Sequence, residues 1–208
     1  MGRPDRKAAL VLALAVGLGT TLAATSSFAT RPTGDGATER SPKVAKALAG
    51  PVARARAATA KYVHDLDLAK ADGYRPITPM IPDMGYHFLN PAITEFDVEQ
   101  PPILVYERNG DDWQLAAFEW VFPERPDHKP LPGARYGSFG AACHYDDGTF
   151  VFEDDESACA ATSPETGAPF FFWHPDLVTL HVWAWYPNPD GLYASMNRWV
   201  RPFNDDQV

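Results

Sequence analysis

The sequence predicts an α+β fold, in which an N-terminal helix packs on an antiparallel sheet that is curved or closed into a barrel-like shape. Helical periodicity is confined to the chain before residue 73, and apolar segments separated by turn sequences follow from residue 85 onward. The 20 prolines argue against an all-helical bundle, because proline breaks helix interiors. With 208 residues, of which 12% are aromatic, the chain is long enough for one globular domain with a substantial core.

The predicted helical part begins at Ser41-Pro42, where a capping hydroxyl precedes a proline at the first helical position. Gly50-Pro51 is expected to interrupt it, and a longer helix should then run over residues 52–72. Gly73 is the candidate for its C-terminal cap. The longer helix presents one apolar stripe, which is formed by Ala55, Ala58, Tyr62, Leu66 and Ala69.

The segments after residue 85 predict a sheet of five or six strands. Residues 143–153 should form a hairpin that turns at Asp147-Gly148, whereas residues 124–140 and 154–169 are expected to be loops. The other strands are predicted over residues 85–90, 103–108, 113–122 and 177–186.

The first 29 residues have the pattern of a secretory signal peptide. The cations Arg3, Arg6 and Lys7 precede an apolar run over residues 8–23, and Ser27-Phe28-Ala29 offers a small-x-small cleavage site. The run is shorter than the roughly 20 residues that span a bilayer, so we expect cleavage rather than anchoring. The sequence therefore predicts a secreted, extracytoplasmic protein with a flexible tether over residues 30–41 and a single domain over residues 42–208.

The acidic charge of the chain narrows the range of binding partners. Removal of the signal peptide changes the net charge from −9 to −11, because the peptide holds three cations and one anion. So acidic a chain has no electrostatic attraction to phosphate backbones or anionic membranes, and we expect neither nucleic acid as a partner nor insertion into a membrane.

Cys143 and Cys159 are expected to form a disulfide outside the cytoplasm, which would stabilise the fold by about 3 kcal/mol, with a thiol-bound metal as the alternative.

Several short segments resemble a family of uncharacterised exported bacterial proteins. The matching segments are Ala71-Asp72-Gly73-Tyr74, Met84-Gly85-Tyr86-His87-Phe88, Leu104-Val105-Tyr106-Glu107, Phe118-Glu119-Trp120, Leu180-His181-Val182-Trp183 and Asn188-Pro189-x-Gly191. The resemblance implies no activity, because no function is assigned to such proteins. The segment that contains Cys143 and Cys159 looks like an insertion on the common pattern.

The candidate functional residues follow from the alternation of side chains along the strands. His87, Glu119 and His181 each lie among apolar neighbours on one face of a predicted strand. A buried imidazole or carboxyl group needs a hydrogen-bond partner, a counter-ion or a metal. Whether Glu107 joins Glu119 depends on the register of the hairpin between them. Only if the two lie within about 5–10 Å could they serve as paired carboxylates for glycoside cleavage.

Three functions are compatible with these residues. The first is a small-ligand or metal-binding protein whose pocket holds Tyr86, His87, Tyr106, Glu119, Trp120, His181 and Trp183, with His87, Glu119 and His181 as ligands of zinc, iron or copper. A buried His–Glu pair that only fixes the packing of the sheet explains the same three residues.

The second function is a metal-dependent hydrolase or cupin-like oxygenase, with Glu119 as the base. The third is carbohydrate or cell-wall binding through exposed Trp173, Trp183 and Trp185. His144, His174 and the pair Met80 and Met84 are weaker candidates, the last for copper.

Overall fold

The structure, a computed structural model, describes residues 41–203. The predicted signal peptide, residues 30–40 of the tether and residues 204–208 lie outside the described residues. The helices are α1 (Pro42–Thr59) and α2 (Leu66–Ala71), joined by a 3₁₀ turn (Ala60–Tyr62). The strands are β1 (Arg75–Pro76), β2 (Tyr86–Leu89), β3 (Ile103–Asn109), β4 (Asp112–Phe122), β5 (Gly137–Phe139), β6 (Ala142–Tyr145), β7 (Phe150–Phe152), β8 (Phe170–His174) and β9 (Leu177–Val182).

The α+β prediction is confirmed, and the strands form two antiparallel sheets rather than one. The main sheet has six strands in the order β1-β2-β3-β4-β9-β5, and the small sheet has three in the order β7-β6-β8. Within the described residues the main sheet does not close into a barrel, because its end strands β1 and β5 each have a single partner. Strands β1, β5 and β8 lie in segments that the sequence pattern did not predict as strands, and the strand predicted over residues 177–186 ends at Val182.

The predicted helix break at Gly50-Pro51 is wrong, because α1 continues through Pro51 and ends only at Thr59. Burial of Leu48, Ala55 and Thr59 along one side of α1 outweighs the proline's missing hydrogen bond. The chain breaks instead before α2, where the Asp65 side chain accepts a hydrogen bond from the Leu68 amide at 2.8 Å.

The main sheet is covered on both faces. On one face, Tyr62, Leu66 and Ala69 from the helical part pack with Phe118 and Trp120 of β4. The other face carries a second apolar cluster, formed by Ile77, Ile103, Val105, Ala116, Ala117, Trp183 and Val200. None of the helices within residues 41–203 is long and apolar enough to cross a membrane.

A register shift in the hairpin of β3 and β4 decides the position of Glu107. The ladder pairs Glu107 with Gln114 near the turn and Val105 with Ala117 further along, so β4 contains one extra residue between the two pairs. Glu107 and Glu119 therefore come to the same face of the sheet. Glu119 pairs with Ile103, four residues from Glu107, so the two side chains lie about 13 Å apart along the strand.

The small sheet is held by the predicted disulfide. Cys143 in β6 is bonded to Cys159, and the Asp147-Gly148 turn joins β6 to β7 as predicted. Strand β6 is the central strand of this sheet, and all four of its residues are buried. The covalent bond therefore fixes the strand that carries His144.

Gly85, at the start of β2, should tolerate no side chain. Its φ is +103°, and an added Cβ would lie 2.5 Å from the Tyr106 carbonyl oxygen and 2.6 Å from Glu107 Oε1. We expect Gly85→Ala to lower the free energy of unfolding by about 3 kcal/mol, through left-handed strain and overpacking together. Gly110→Ala is the control, because its φ of +59° is also positive, although within the allowed left-handed region, and no atom lies within 4 Å of an added Cβ. Urea denaturation of both variants measures the difference, and equal losses would contradict the steric explanation.

Candidate functional site

A cavity of about 100 Å³ lies between the main sheet and the small sheet. Its walls are mostly apolar and include Ile77, Ile103, Val121, Phe139, Phe172 and Leu177. Five ionisable side chains interrupt this surface: His87, Glu119, His144, His174 and His181. A mostly apolar cavity with a few convergent polar groups is the usual form of a small-ligand site.

The structure brings the three predicted polar residues together. Glu119 of β4 pairs directly with His181 of β9, so their side chains project from neighbouring positions on one face. The His87 Nε2 atom lies 3.6 Å from Glu119 Oε2, and the rings of His87 and His181 are 6.2 Å apart between centroids. His87 Nδ1 lies 3.0 Å from the Thr78 hydroxyl, whereas both ring nitrogens of His181 are buried without a hydrogen-bond partner.

The four aromatic residues predicted to line the pocket lie elsewhere. Tyr86, Tyr106 and Trp120 pack on the helix-covered face of the sheet, where the Tyr106 hydroxyl donates to the Tyr62 carbonyl at 2.8 Å. Trp183 contacts the His181 ring at a centroid distance of 4.8 Å and donates its indole N–H to the Ala194 carbonyl. Only 3% of Trp183 is exposed, so this ring is not available to a ligand at the surface.

His144 and His174 complete the polar part of the cavity. They come from β6 and β8 of the small sheet, and their Nε2 atoms lie 3.0 Å apart. From the sequence, His144 is expected at the start of a hairpin beside polar residues, and His174 in a turn before the main strand, so the strand that brings them together was not predicted. The alternation of Phe172 and His174 along that strand was the signal that could have paired them with His144. Met84 also lines the cavity, together with Met196.

Burial keeps the imidazoles of His87 and His181 uncharged near neutral pH and leaves Glu119 only partly ionised. Desolvation lowers the pKa of His87 to about 4 and the pKa of His181 to about 3, the latter helped by the neighbouring His87. Desolvation raises the pKa of Glu119 to about 7, although a hydrogen bond with Thr179 acts in the opposite direction. A carboxyl group with this pKa can donate or accept a proton near neutral pH, as a general acid or base does.

Among residues 41–203, no group of three or more His, Cys, Asp or Glu side chains could hold a metal ion. The predicted ligand set of His87, Glu119 and His181 does not form such a group. The geometry of these three residues is that of a mostly neutral hydrogen-bonding site.

Glu107 does not take part in the cavity. It is 1% exposed, and neither carboxyl oxygen has a hydrogen-bond partner. Desolvation raises the pKa of Glu107 to about 8, with a smaller contribution from the Asp83 charge. It lies at a separate surface groove beside Trp113 and Tyr186. Its distance of about 13 Å from Glu119 exceeds the spacing of about 5–10 Å between paired glycosidase carboxyls.

Comparison of the chain with protein-family models, with curated proteins and with solved structures finds no match. The resemblance to exported bacterial proteins stays a prediction. The function must therefore be argued from the cavity itself.

The raised pKa of Glu119 should make its effect on stability depend on pH. The unfolded chain loses this proton near pH 4.5 and the folded protein near pH 7, so the stability that the protonated carboxyl contributes is present below pH 4.5 and lost as the pH rises through 7. In Glu119→Gln this loss cannot occur. Relative to the wild type, we expect the variant to gain about 3 kcal/mol of unfolding free energy between pH 5 and pH 8.

Urea denaturation at pH 5, 6, 7 and 8 measures this difference, from which the contributions of the histidines cancel. Glu107→Gln is the control outside the cavity, and its relative gain should continue up to pH 8 because the pKa of Glu107 is about 8. A constant difference between Glu119→Gln and the wild type across this range would show that Glu119 titrates normally.

Proposed function

We propose that this protein binds a small, mostly apolar, uncharged molecule in the cavity between its two sheets. The observation that supports this most directly is the state of His181. Both of its ring nitrogens are buried without a partner in the cavity wall. An unpaired buried polar group costs about 1–3 kcal/mol, and a ligand that donates a hydrogen bond to His181 would recover part of this cost.

The chemistry of the walls defines the ligand class. The His87 and His181 imidazoles are neutral at pH 7, and Glu119 holds its proton about half of the time, so this part of the cavity offers little charge to balance an ionic ligand. The apolar residues favour a hydrocarbon or aromatic body. The volume of about 100 Å³ is of the same order as cavities of about 150 Å³ that bind benzene. A small ring or chain that carries a hydroxyl or N–H group fits these properties.

We also propose that the protein works outside the cytoplasm. The disulfide between Cys143 and Cys159 is compatible with an oxidising compartment. The basic and apolar pattern of residues 1–29 supports export. No observation favours the alternatives of an enzyme or a carbohydrate-binding protein over ligand binding, and the burial of Trp183 removes one aromatic surface from the latter.

Phenol and toluene are suitable probes, because they have similar size and differ by one hydroxyl donor. We expect the wild-type protein to bind phenol about fivefold more tightly than toluene, since a hydrogen bond to a neutral imidazole is worth about 1 kcal/mol. In His181→Leu, which replaces the imidazole with an apolar group, the preference for phenol should disappear. Isothermal titration calorimetry at pH 7 measures all four affinities.

His64→Leu is the control, because His64 is exposed and lies outside the cavity. Circular dichroism and the melting temperature verify that each variant folds. Two results would contradict the proposal: neither probe binds the wild type, or the preference for phenol is unchanged in a folded His181→Leu variant.

A further inference from the structure

The His144 and His174 rings make three hydrogen-bond contacts, and two neutral rings carry one proton too few for them. His144 Nδ1 lies 2.8 Å from the Ile77 carbonyl oxygen, and His174 Nδ1 lies 2.6 Å from the Pro175 carbonyl oxygen. The two Nε2 atoms face each other at 3.0 Å. These three contacts form a chain that runs from one carbonyl through both rings to the other carbonyl.

A count of protons shows why neutral rings cannot satisfy this chain. A carbonyl oxygen only accepts hydrogen bonds, so each Nδ1 must carry the proton of its ring. A neutral imidazole has one N–H, and both Nε2 atoms are then left with lone pairs that point at each other. Three contacts need three protons, and two neutral rings supply two. All three contacts are satisfied only if a third proton or a metal ion lies between the Nε2 atoms.

The surroundings of the pair favour a metal ion over a proton. Histidines that bind metals usually donate their other ring N–H to a carbonyl or carboxylate, as both rings do here. Two ligand nitrogens at about 2.1 Å from one ion lie about 3.0 Å apart at the 90° angle of a square-planar Cu²⁺ site and about 3.4 Å apart at the tetrahedral angle of Zn²⁺. The observed separation of 3.0 Å is closer to the copper geometry.

We propose that His144 and His174 form a two-imidazole site for a transition-metal ion of the Zn²⁺ or Cu²⁺ class, bound through their Nε2 atoms. The remaining coordination positions are open to water or to a small ligand in the cavity. Met84 and Met196 line the same cavity and provide thioether sulfur, which suits copper. The site does not depend on the proposed function, because it uses different atoms and a different observation.

The backbone holds the two rings in place without the metal. His174 pairs with Ala142 and His144 pairs with Phe172, so the two histidines are diagonal neighbours on one face of the small sheet. The His144 ring stacks on Phe172 at a centroid distance of 4.7 Å and an interplanar angle of 7°. The disulfide at Cys143 fixes the strand beside it. Such a site is assembled before the ion arrives, which reduces the ordering cost of binding.

The test is a titration of the full, disulfide-bonded chain, purified without a histidine tag, with Zn²⁺ alone and with Cu²⁺ alone. We expect one equivalent of at least one of these metals to bind in isothermal titration calorimetry. His174→Phe should weaken this binding by tenfold or more, because it removes one ligand from a half-buried position where an aromatic ring can be accommodated. His128→Phe is the matched control, since His128 is exposed, and it should bind the metal as the wild type does.

Nitrogen-15 NMR of the histidine rings identifies the atoms involved. On addition of Zn²⁺, the Nε2 resonances of His144 and His174 should shift, and those of His87 and His181 should not. The proposal is overturned if neither metal binds, if a folded His174→Phe variant binds as tightly as the wild type, or if the metal-dependent shifts fall on His87 and His181. An Nε2 pair that shares a proton at pH 7 without affinity for either metal would assign the missing charge to that proton.

Discussion

The burial of β4 on both of its faces is the constraint on which the rest of the structure depends. Each of its edges is hydrogen-bonded to a neighbouring strand, and each of its faces packs in an apolar cluster, with Phe118 and Trp120 on one face and Ala117 and Val121 on the other. The helical part covers one face, and the small sheet and the C-terminal segment cover part of the other. The cavity arises where this second cover meets β4 and β9 without filling the space between them. Glu119 lies at that point, next to the fully buried central residues 115–118 of β4.

Much of this arrangement could be predicted from local patterns, because alternation along a strand is a property of the strand itself. His87, Glu119 and His181 were assigned to apolar faces in this way, and the structure places all three in one cavity. The disulfide was predictable because the chain has two cysteines. The α+β class followed from the change of periodicity after the helical part.

Other features depend on contacts between distant segments, which local patterns do not encode. The extra residue in β4 moves Glu107 to the face of Glu119, and no residue pattern in the hairpin sequence predicts this register shift. Pro51 remains in α1 because the helix is buried against the sheet, a tertiary effect that outweighs local propensity. His144 and His174 meet only because β8 pairs with β6 across residues 146–169, and their side chains carry no spacing motif that would reveal it.

The polar groups of the cavity satisfy few of one another's hydrogen bonds. His181 has no partner, Glu119 faces His87 at a distance beyond a good hydrogen bond, and the His144–His174 pair lacks a proton. Folding alone would favour apolar residues at such positions, because unsatisfied buried groups destabilise the native state. Their presence in one place, on strands otherwise packed with apolar side chains, is the pattern expected where binding rather than stability determines the residue.

The path of the chain between β5 and β9 has a consequence for how this cavity could change during evolution. Phe139, the last residue of β5, pairs directly with Leu177, the first residue of β9. The chain therefore leaves the main sheet and returns to it at the same place, and residues 140–176 form an excursion that contains the entire small sheet. A short turn could replace this excursion without displacing any strand of the main sheet. The His144–His174 half of the cavity is thus a detachable module, whereas the half formed by His87, Glu119 and His181 is inseparable from the core, and the two halves are free to diversify at different rates.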